Sequence, residues 1–169
     1  MPENWSASTP STSLYTAEQR ARRDATRWTF VQGVLAPVQF LVFLVSLALV
    51  VRFLVSGRGQ EIATVSIIIK TIVLYTIMIT GSIWEKRVFG RFLFADAFFW
   101  EDVFSMLVLA MHTAYIAALV SHALDARAQM AIALAAYASY VINAGQFVLK
   151  LRAARMQAAG GLAAAEMLS

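Results

Sequence analysis

The chain has 169 residues, of which 60% are hydrophobic and 14% charged, and its formal net charge is +4. Soluble domains are about 45–50% apolar, so this excess, gathered into long runs, is typical of membrane spans. The absence of cysteine excludes disulfides, thiolate catalysis and cysteine-based metal sites, and two histidines argue against a dedicated multi-histidine metal site. The basic residues flank the apolar runs, so they indicate membrane topology, and no nucleic-acid partner is expected.

The N-terminal segment precedes the apolar runs. Residues 1–15 are rich in Ser, Thr and Pro and predict a disordered tail. Thr16 and Gln19 have the spacing of a capping box, which predicts the start of a helix. We expect this short helix to be amphipathic and basic, because it carries four arginines: Arg20, Arg22, Arg23 and Arg27.

Four apolar runs follow, at 28–55, about 62–88, from after Asp96 to about Ser121, and about 128–149. Each has about 20 or more residues, enough to cross a hydrocarbon core of about 30 Å. Asp96 is a suitable N-cap for the third run, and Gly90 a suitable C-terminal cap for the second. The predicted fold is all-α: an integral membrane four-helix bundle in one domain, residues 16–155. Residues 156–169 are rich in Ala and Gly and predict a flexible tail.

The distribution of Lys and Arg predicts the orientation of the spans. Three segments on one side carry ten of them: Arg20, Arg22, Arg23, Arg27, Lys86, Arg87, Arg91, Lys150, Arg152 and Arg155. The loops on the other side carry only Arg52, Arg58 and Arg127, and Lys70 lies inside a span. The positive-inside rule therefore places both termini in the cytoplasm.

Polar side chains from all four spans share one level near the cytoplasmic surface. They are Gln32, Glu85, Glu101, Asp102, Asn143 and Gln146. Ionisable groups at membrane depth usually have a function or a partner. Glu101, Ser105 and His112 follow a spacing of three and four residues, which places them on one stripe of a helix, and Asp102 flanks that stripe by about 100°. We expect the carboxylates to meet in a shared crevice.

A purely structural interpretation exists for each of these residues. Glu101 and Asp102 suit a helix N-terminus and could pair with Lys86, Arg87 or Arg91. Lys70 could extend its amine toward the membrane surface, and His112 could be a core histidine bonded to a Tyr or Ser hydroxyl. The amide side chains could hold the helices together by hydrogen bonds.

Five segments carry a resemblance to a known family. They are LYTAEQRARR at 14–23, VQG at 31–33, IWEK at 83–86, FFWEDVFSM at 98–106 and YVINAGQ at 140–146. Together they resemble the vinyl bacteriochlorophyllide hydratases of phototrophic bacteria, over residues 14–155. The resemblance implies a hydro-lyase of the bacterial inner (intracytoplasmic) membrane. It would add water to the C3 vinyl group of chlorophyllide a, or of a related precursor such as 3-vinyl bacteriochlorophyllide, to give a 1-hydroxyethyl group.

The reaction needs an acid, a base for water and an anionic environment. We hypothesise that Glu101 is the general acid, with Ser105 as its hydrogen-bond partner, and that Asp102 or Glu85 deprotonates water. The remaining candidates bind substrate: Asn143 and Gln146 hold the water or the ring-E carbonyl, Arg87 and Arg91 meet the propionate, His112 ligates the substrate's magnesium, and Gln32 lines the site. The substrate carries the magnesium, so no separate cofactor and no metal site of the protein's own are expected.

Two other function classes remain open. A four-span bundle with one buried histidine could bind a pigment as a non-catalytic carrier or assembly subunit, and such a protein would tolerate Glu101→Gln. A channel or transporter fits less well, because the charges concentrate on one side of the membrane. The expected partners are the tetrapyrrole, the lipid bilayer and other enzymes of bacteriochlorophyll biosynthesis, and the sequence predicts no oligomeric state.

Overall fold

The computed structural model describes residues 14–166, without the side chains at 157, 158 and 161–166. The predicted N-terminal tail, residues 1–15, lies outside the described residues except for Leu14 and Tyr15, and so does the end of the chain, 167–169. Residues 14–166 form five helices and no strand: α1 Ala17–Ala25, α2 Arg27–Ser56, α3 Gln60–Phe89, α4 Phe99–Val120 and α5 Ala126–Glu166. The predicted all-α fold is confirmed.

Helix α1 begins with the predicted capping box. The Thr16 hydroxyl accepts from the Gln19 backbone N–H at 3.2 Å, and the Gln19 side chain accepts from the Thr16 N–H at 2.9 Å. Helix α1 packs against α3, and just before it the ring of Tyr15 stacks on Phe89 with centroids 5.8 Å apart. The helix therefore covers one end of the bundle, and its amphipathic character stays a prediction.

Four helices are long and apolar enough to cross a membrane: α2, α3, α4 and the Ala126–Met156 part of α5. Many large apolar side chains face outward along them, among them Phe30, Leu41, Ile72, Ile79 and Val148. An exposed apolar surface of this extent matches a lipid environment, so the chain is a multi-pass membrane protein. Helices α2 and α3 end at Gly57 and Gly90, which take left-handed φ values of 68° and 84° that favour glycine.

The start of α4 differs from the prediction. Asp96 is not its N-cap, because residues 95–98 form a turn in which the Phe98 N–H donates to the Ala95 carbonyl at 2.8 Å, and α4 begins only at Phe99. The side chain of Asp96 is 98% exposed and pairs with Arg91 at 3.5 Å. Asp102, one turn into the helix, instead accepts from a backbone N–H that precedes α4.

Helix α5 is longer than the predicted span. It continues as helix to Glu166, well past residue 149 and into the segment predicted as a flexible tail. The physical reason is composition, since this segment is rich in alanine, the strongest helix former. The boundary and flexibility of that tail stay predictions.

The helices pack as two pairs. Helix α2 lies along α3 and α4 along α5 over extensive interfaces, whereas α2 meets α5 and α3 meets α4 over much smaller ones. Buried aromatic and aliphatic side chains, including Phe43, Ile67, Val108, Tyr115 and Tyr137, form the core where the pairs meet. The bundle thus consists of two tightly packed helix pairs, and the boundary between the pairs is thin because few residues meet across it.

Candidate active site

Two buried carboxyl groups from different helices meet at one end of the bundle. Glu85 lies one turn before the end of α3 and Asp102 lies in the first turn of α4. The side chains are adjacent, within hydrogen-bonding reach of one another, and the two residues are only 5% and 3% exposed. Sequence reasoning predicted this convergence, and the structure brings these two candidates together.

Backbone N–H groups of the loop between α3 and α4 hold both carboxyls. The Phe94 N–H donates to Asp102 Oδ2 at 2.7 Å, and the next N–H, of Ala95, donates to Glu85 Oε2 at 3.3 Å. Phe94 has a φ of 58°, a left-handed conformation that is uncommon outside glycine. The loop thus presents two successive N–H groups, one to each carboxyl.

Glu101 faces a different neighbour. Its Oε2 lies 2.6 Å from Lys150 Nζ on α5, and the same Nζ stands 5.0 Å from the ring centroid of Phe98. The structural interpretation that paired Glu101 with Lys86, Arg87 or Arg91 was wrong about the partner, which is Lys150. Lys86 donates to the Gly90 carbonyl at 2.8 Å because its own helix ends there.

Arg87 and Arg91, the predicted propionate ligands, lie at the surface. Both side chains are exposed, and Arg91 is paired with Asp96. Neither arginine is hydrogen-bonded or ion-paired to Glu85 or Asp102. Their role in binding substrate stays a prediction.

The amide and hydroxyl candidates divide between two places. Asn143 Nδ2 donates to Ser105 Oγ at 2.9 Å. The partner of Ser105 is therefore this α5 amide, and the prediction that Ser105 bonds Glu101 was wrong. The Asn143 Oδ1 and Gln146 Oε1 atoms are buried and have no hydrogen-bond partner among the described residues. Gln32 lies elsewhere, because its Nε2 donates to Thr80 Oγ1 at 2.8 Å along the α2–α3 interface.

A second polar cluster lies deeper in the bundle. Lys70 and His112 are fully buried, so the expectation that Lys70 reaches the membrane surface was wrong. His112 Nδ1 lies 2.8 Å from the Val108 carbonyl of its own helix rather than bonding a Tyr or Ser hydroxyl. A carbonyl can only accept, so Nδ1 carries the proton and Nε2 keeps a free lone pair.

A surface cleft adjoins the carboxyl pair. It has a volume of about 460 Å³ and is lined by Leu14, Gln19, Phe89, Arg91, Ala95, Asp96 and Ala97. Ala95 is also the residue whose N–H donates to Glu85, so the cleft and Glu85 share a neighbour in this loop. Among the side chains that the structure describes, no group of three or more His, Asp or Glu is placed to hold a metal ion. The expectation of no cofactor stays a prediction.

Comparison with known proteins decides the family. The sequence profile of the family described as 2-vinyl bacteriochlorophyllide hydratase matches residues 15–153 of the chain. The chain belongs to this family. It is 69% identical over 147 residues to the 2-vinyl bacteriochlorophyllide hydratase of Rhodobacter capsulatus, covering 87% of this chain and 85% of the relative. It is 65% identical over 154 residues to that of Cereibacter sphaeroides, covering 89% and 94%. No solved structure matches the chain.

These matches confirm the predicted family and the predicted class of enzyme. A hydratase is a hydro-lyase, and the names of both relatives place that activity in bacteriochlorophyll synthesis. The family is named for an enzymatic activity and not for the alternative, a non-catalytic carrier or assembly subunit. The roles of individual residues stay predictions, which the geometry above now constrains.

Proposed function

We propose that the protein adds water to the C3 vinyl group of chlorophyllide a, or of 3-vinyl bacteriochlorophyllide, and releases the 3-(1-hydroxyethyl) product. The C3 position is the one numbered 2 in the relatives' names. The observation that carries the proposal is the buried pair of Glu85 and Asp102, held by two loop N–H groups. Two adjacent carboxyls in a low-dielectric setting can share one proton and divide the acid and base roles between them.

Hydration requires one proton to arrive and one to leave. In the first step the protonated carboxyl of the pair delivers its proton to the terminal vinyl carbon, which becomes a methyl group. The inner carbon then carries a positive charge. Conjugation delocalises this charge over the macrocycle, and the negative charge of the carboxylates stabilises it. Water attacks the inner carbon through its oxygen, and its proton passes to the pair. The pair ends the cycle with the one proton it began with.

The hypothesis that Glu101 is the acid now has a competitor. Glu101 Oε2 is engaged by Lys150 Nζ at 2.6 Å, and a carboxylate held by an ammonium has no proton of its own to deliver in that arrangement. Glu85 and Asp102 instead face each other, and the groups that hold them are neutral amides. We therefore assign the proton transfers to the pair and a supporting role to Glu101.

Neighbouring polar atoms suit the other requirements. Asn143 Oδ1 and Gln146 Oε1 are buried acceptors without partners among the described residues, so they can orient a water molecule or meet a donor on the substrate. His112 Nε2 offers a neutral lone pair, the form that ligates a metal ion such as the substrate's magnesium. Asp102 and His112 are about 15 Å apart along α4 at 1.5 Å per residue, and the ring of His112 leans back toward Val108, which shortens that separation.

The proposed location follows from charge and family. The ten basic residues that flank one face of the bundle favour the cytoplasm for both termini by the positive-inside rule. The carboxyl pair and the cleft then lie at the cytoplasmic face of the bacterial inner (intracytoplasmic) membrane. A substrate that other enzymes of the same pathway produce or consume could pass through this face, and those enzymes are the further candidate partners.

Purified protein should be incubated with chlorophyllide a in ¹⁸O-labelled water, and the pigment analysed by mass spectrometry. We expect the pigment to gain the mass of one labelled water, with the label in a new hydroxyl group. Heat-denatured protein and unlabelled water are the controls. A pigment that binds but keeps its mass would contradict the proposal and favour the carrier.

A further inference from the structure

Lys70 is a fully buried lysine without a counter-ion. Its Nζ makes no hydrogen bond, and no carboxylate lies within ion-pair distance of it in the part of the chain that the structure describes. Removing a charge from water and leaving it unpaired is costly, and intramembrane ionisable groups usually have a functional partner. An unpaired lysine at this depth therefore needs an explanation.

Three aromatic rings form a cage around the Lys70 amine. The centroids of Tyr140, Tyr137 and Phe43 lie 4.1, 5.4 and 5.9 Å from Nζ. Ring faces attract a cation but leave its N–H donors unused. The cage thus fixes the amine in position and leaves its N–H donors without an acceptor among the described residues.

Two other side chains with unsatisfied atoms lie near these rings: Gln39 is one turn before Phe43 on α2, and the ring of His112 lies 5.9 Å from that of Tyr137. Both amide atoms of Gln39 and the Nε2 of His112 are buried and have no partner among the described residues. Gln39 and Lys70 belong to the α2–α3 pair, and His112 belongs to the α4–α5 pair. Native proteins satisfy nearly all buried polar atoms, so a concentration of orphans along the thin boundary between two helix pairs points to a ligand that lies there.

We infer that Lys70 binds the propionate carboxylate of the tetrapyrrole, with the Gln39 amide beside it as a second donor. The inference rests on the proposed function, which supplies a flat apolar substrate whose peripheral acid is a free carboxylate. That carboxylate supplies the counter-charge that Lys70 lacks. The Lys70 site would therefore select the free acid over an esterified tetrapyrrole.

The position of Lys70 along the bundle sets where the macrocycle would lie. Lys70 precedes Glu85 by 15 residues on α3, about 22 Å at 1.5 Å per residue. Its amine contacts Tyr140 on α5, and Asn143, about one turn further along α5, bonds Ser105, about one turn from Asp102 on α4. A macrocycle whose propionate meets Lys70 would therefore lie in the stretch between the aromatic cage and the carboxyl pair, with its vinyl group toward the pair.

The test compares chlorophyllide a with its propionate methyl ester as substrates. For the natural protein we expect kcat/KM for the acid to exceed that for the ester by about 10–100-fold, the value of one hydrogen bond between charged groups. Lys70→Met should lower kcat/KM for the acid to the value for the ester and leave kcat/KM for the ester unchanged, because methionine keeps the length and the apolar stem of the lysine side chain. Lys70→Arg should keep part of the preference. Lys86→Met, the same change at the surface end of α3, is the matched control and should keep all of it.

Binding of the acid and the ester, followed by pigment absorbance, gives a readout that does not depend on turnover. Equal kcat/KM for acid and ester in the natural protein would overturn the inference and leave hydration standing. A preference that survives Lys70→Met, or that disappears in Arg91→Gln, would also overturn it and move the carboxylate to the surface arginine. If the protein binds the acid more tightly than the ester, and this preference depends on Lys70 but no hydration occurs, the result would support the inference and contradict the proposed reaction. If Lys70→Met does not fold, the natural protein and Lys70→Arg still decide.

Discussion

The carboxyl pair makes a prediction about how two substitutions combine. Glu85→Gln and Asp102→Asn each remove one carboxyl and keep an amide oxygen that can still accept from Ala95 or Phe94. The loop that holds the pair should therefore persist in each variant. What changes is the ability of the pair to hold a mobile proton, so the effect should appear in kcat and not in pigment binding.

The magnitude follows from the role of the pair. Loss of a general acid or base typically costs about 10²–10⁴-fold in rate, equivalent to about 3–5 kcal/mol in the activation free energy. Because Glu85 and Asp102 act on the same proton, removing either one already disables the pair. The double variant should be about as slow as the slower single variant, as expected for groups that act as a unit. Independent roles would instead multiply the two losses.

The assay is the rate of formation of the 1-hydroxyethyl pigment by the natural protein, the two single variants and the double variant. Glu61→Gln is the matched control, since Glu61 is an exposed carboxylate on the same helix as Glu85, and it should keep the natural rate. Losses that multiply in the double variant, or a single variant within about threefold of the natural rate, would refute the shared-proton reasoning. In that case Glu101→Gln becomes the decisive variant.

Two predictions concern stability, measured by thermal unfolding in detergent. Lys150→Met leaves the Glu101 carboxylate buried without its cation, and since the Lys150 side chain is 28% exposed, we expect a loss of about 1–3 kcal/mol, below the usual range for a fully buried pair. Adding Glu101→Gln to Lys150→Met should restore part of the lost stability. If it restores none, Lys150 does not stabilise the protein through its ion pair with Glu101. Phe98→Ala removes a buried ring packed 5.7 Å from Trp84 and 5.9 Å from Phe147, and the cavity should cost about 3–5 kcal/mol. An unchanged melting temperature would show that this aromatic cluster is not part of the core.

The spans and the first helix could be predicted because local rules decide them. Four runs of about 20 or more apolar residues leave few other structures in a bilayer, where every backbone group must be satisfied within the segment. The capping box of Thr16 and Gln19 involves only neighbouring residues. The predicted start of α4 was wrong because the turn at 95–98 depends on contacts of the loop with Glu85 and Asp102. Such contacts between distant residues cannot be predicted from local propensity.

The partners of the buried charges could not be predicted, since they depend on which helices are neighbours. Nothing in the sequence distinguishes Lys150 from Lys86 as the partner of Glu101 except their level in the membrane, and both lie near the same face. The same limit applies to Lys70. A lysine side chain within a span can extend toward the surface, and the packing of α2 and α5 against Lys70 closes that route.

Adjacent acids on α4 show how one helix can serve two neighbours. Successive helical residues point about 100° apart, so Glu101 turns toward α5 and meets Lys150, while Asp102 turns toward α3 and meets Glu85. The first contact joins α4 to α5 within a tightly packed pair, and the second crosses the thin boundary between the two pairs. In the proposed mechanism the flat substrate reaches the boundary between the pairs, which the contact of Asp102 crosses and that of Glu101 does not. This difference in position is the physical reason to expect chemistry from Asp102 and structural support from Glu101.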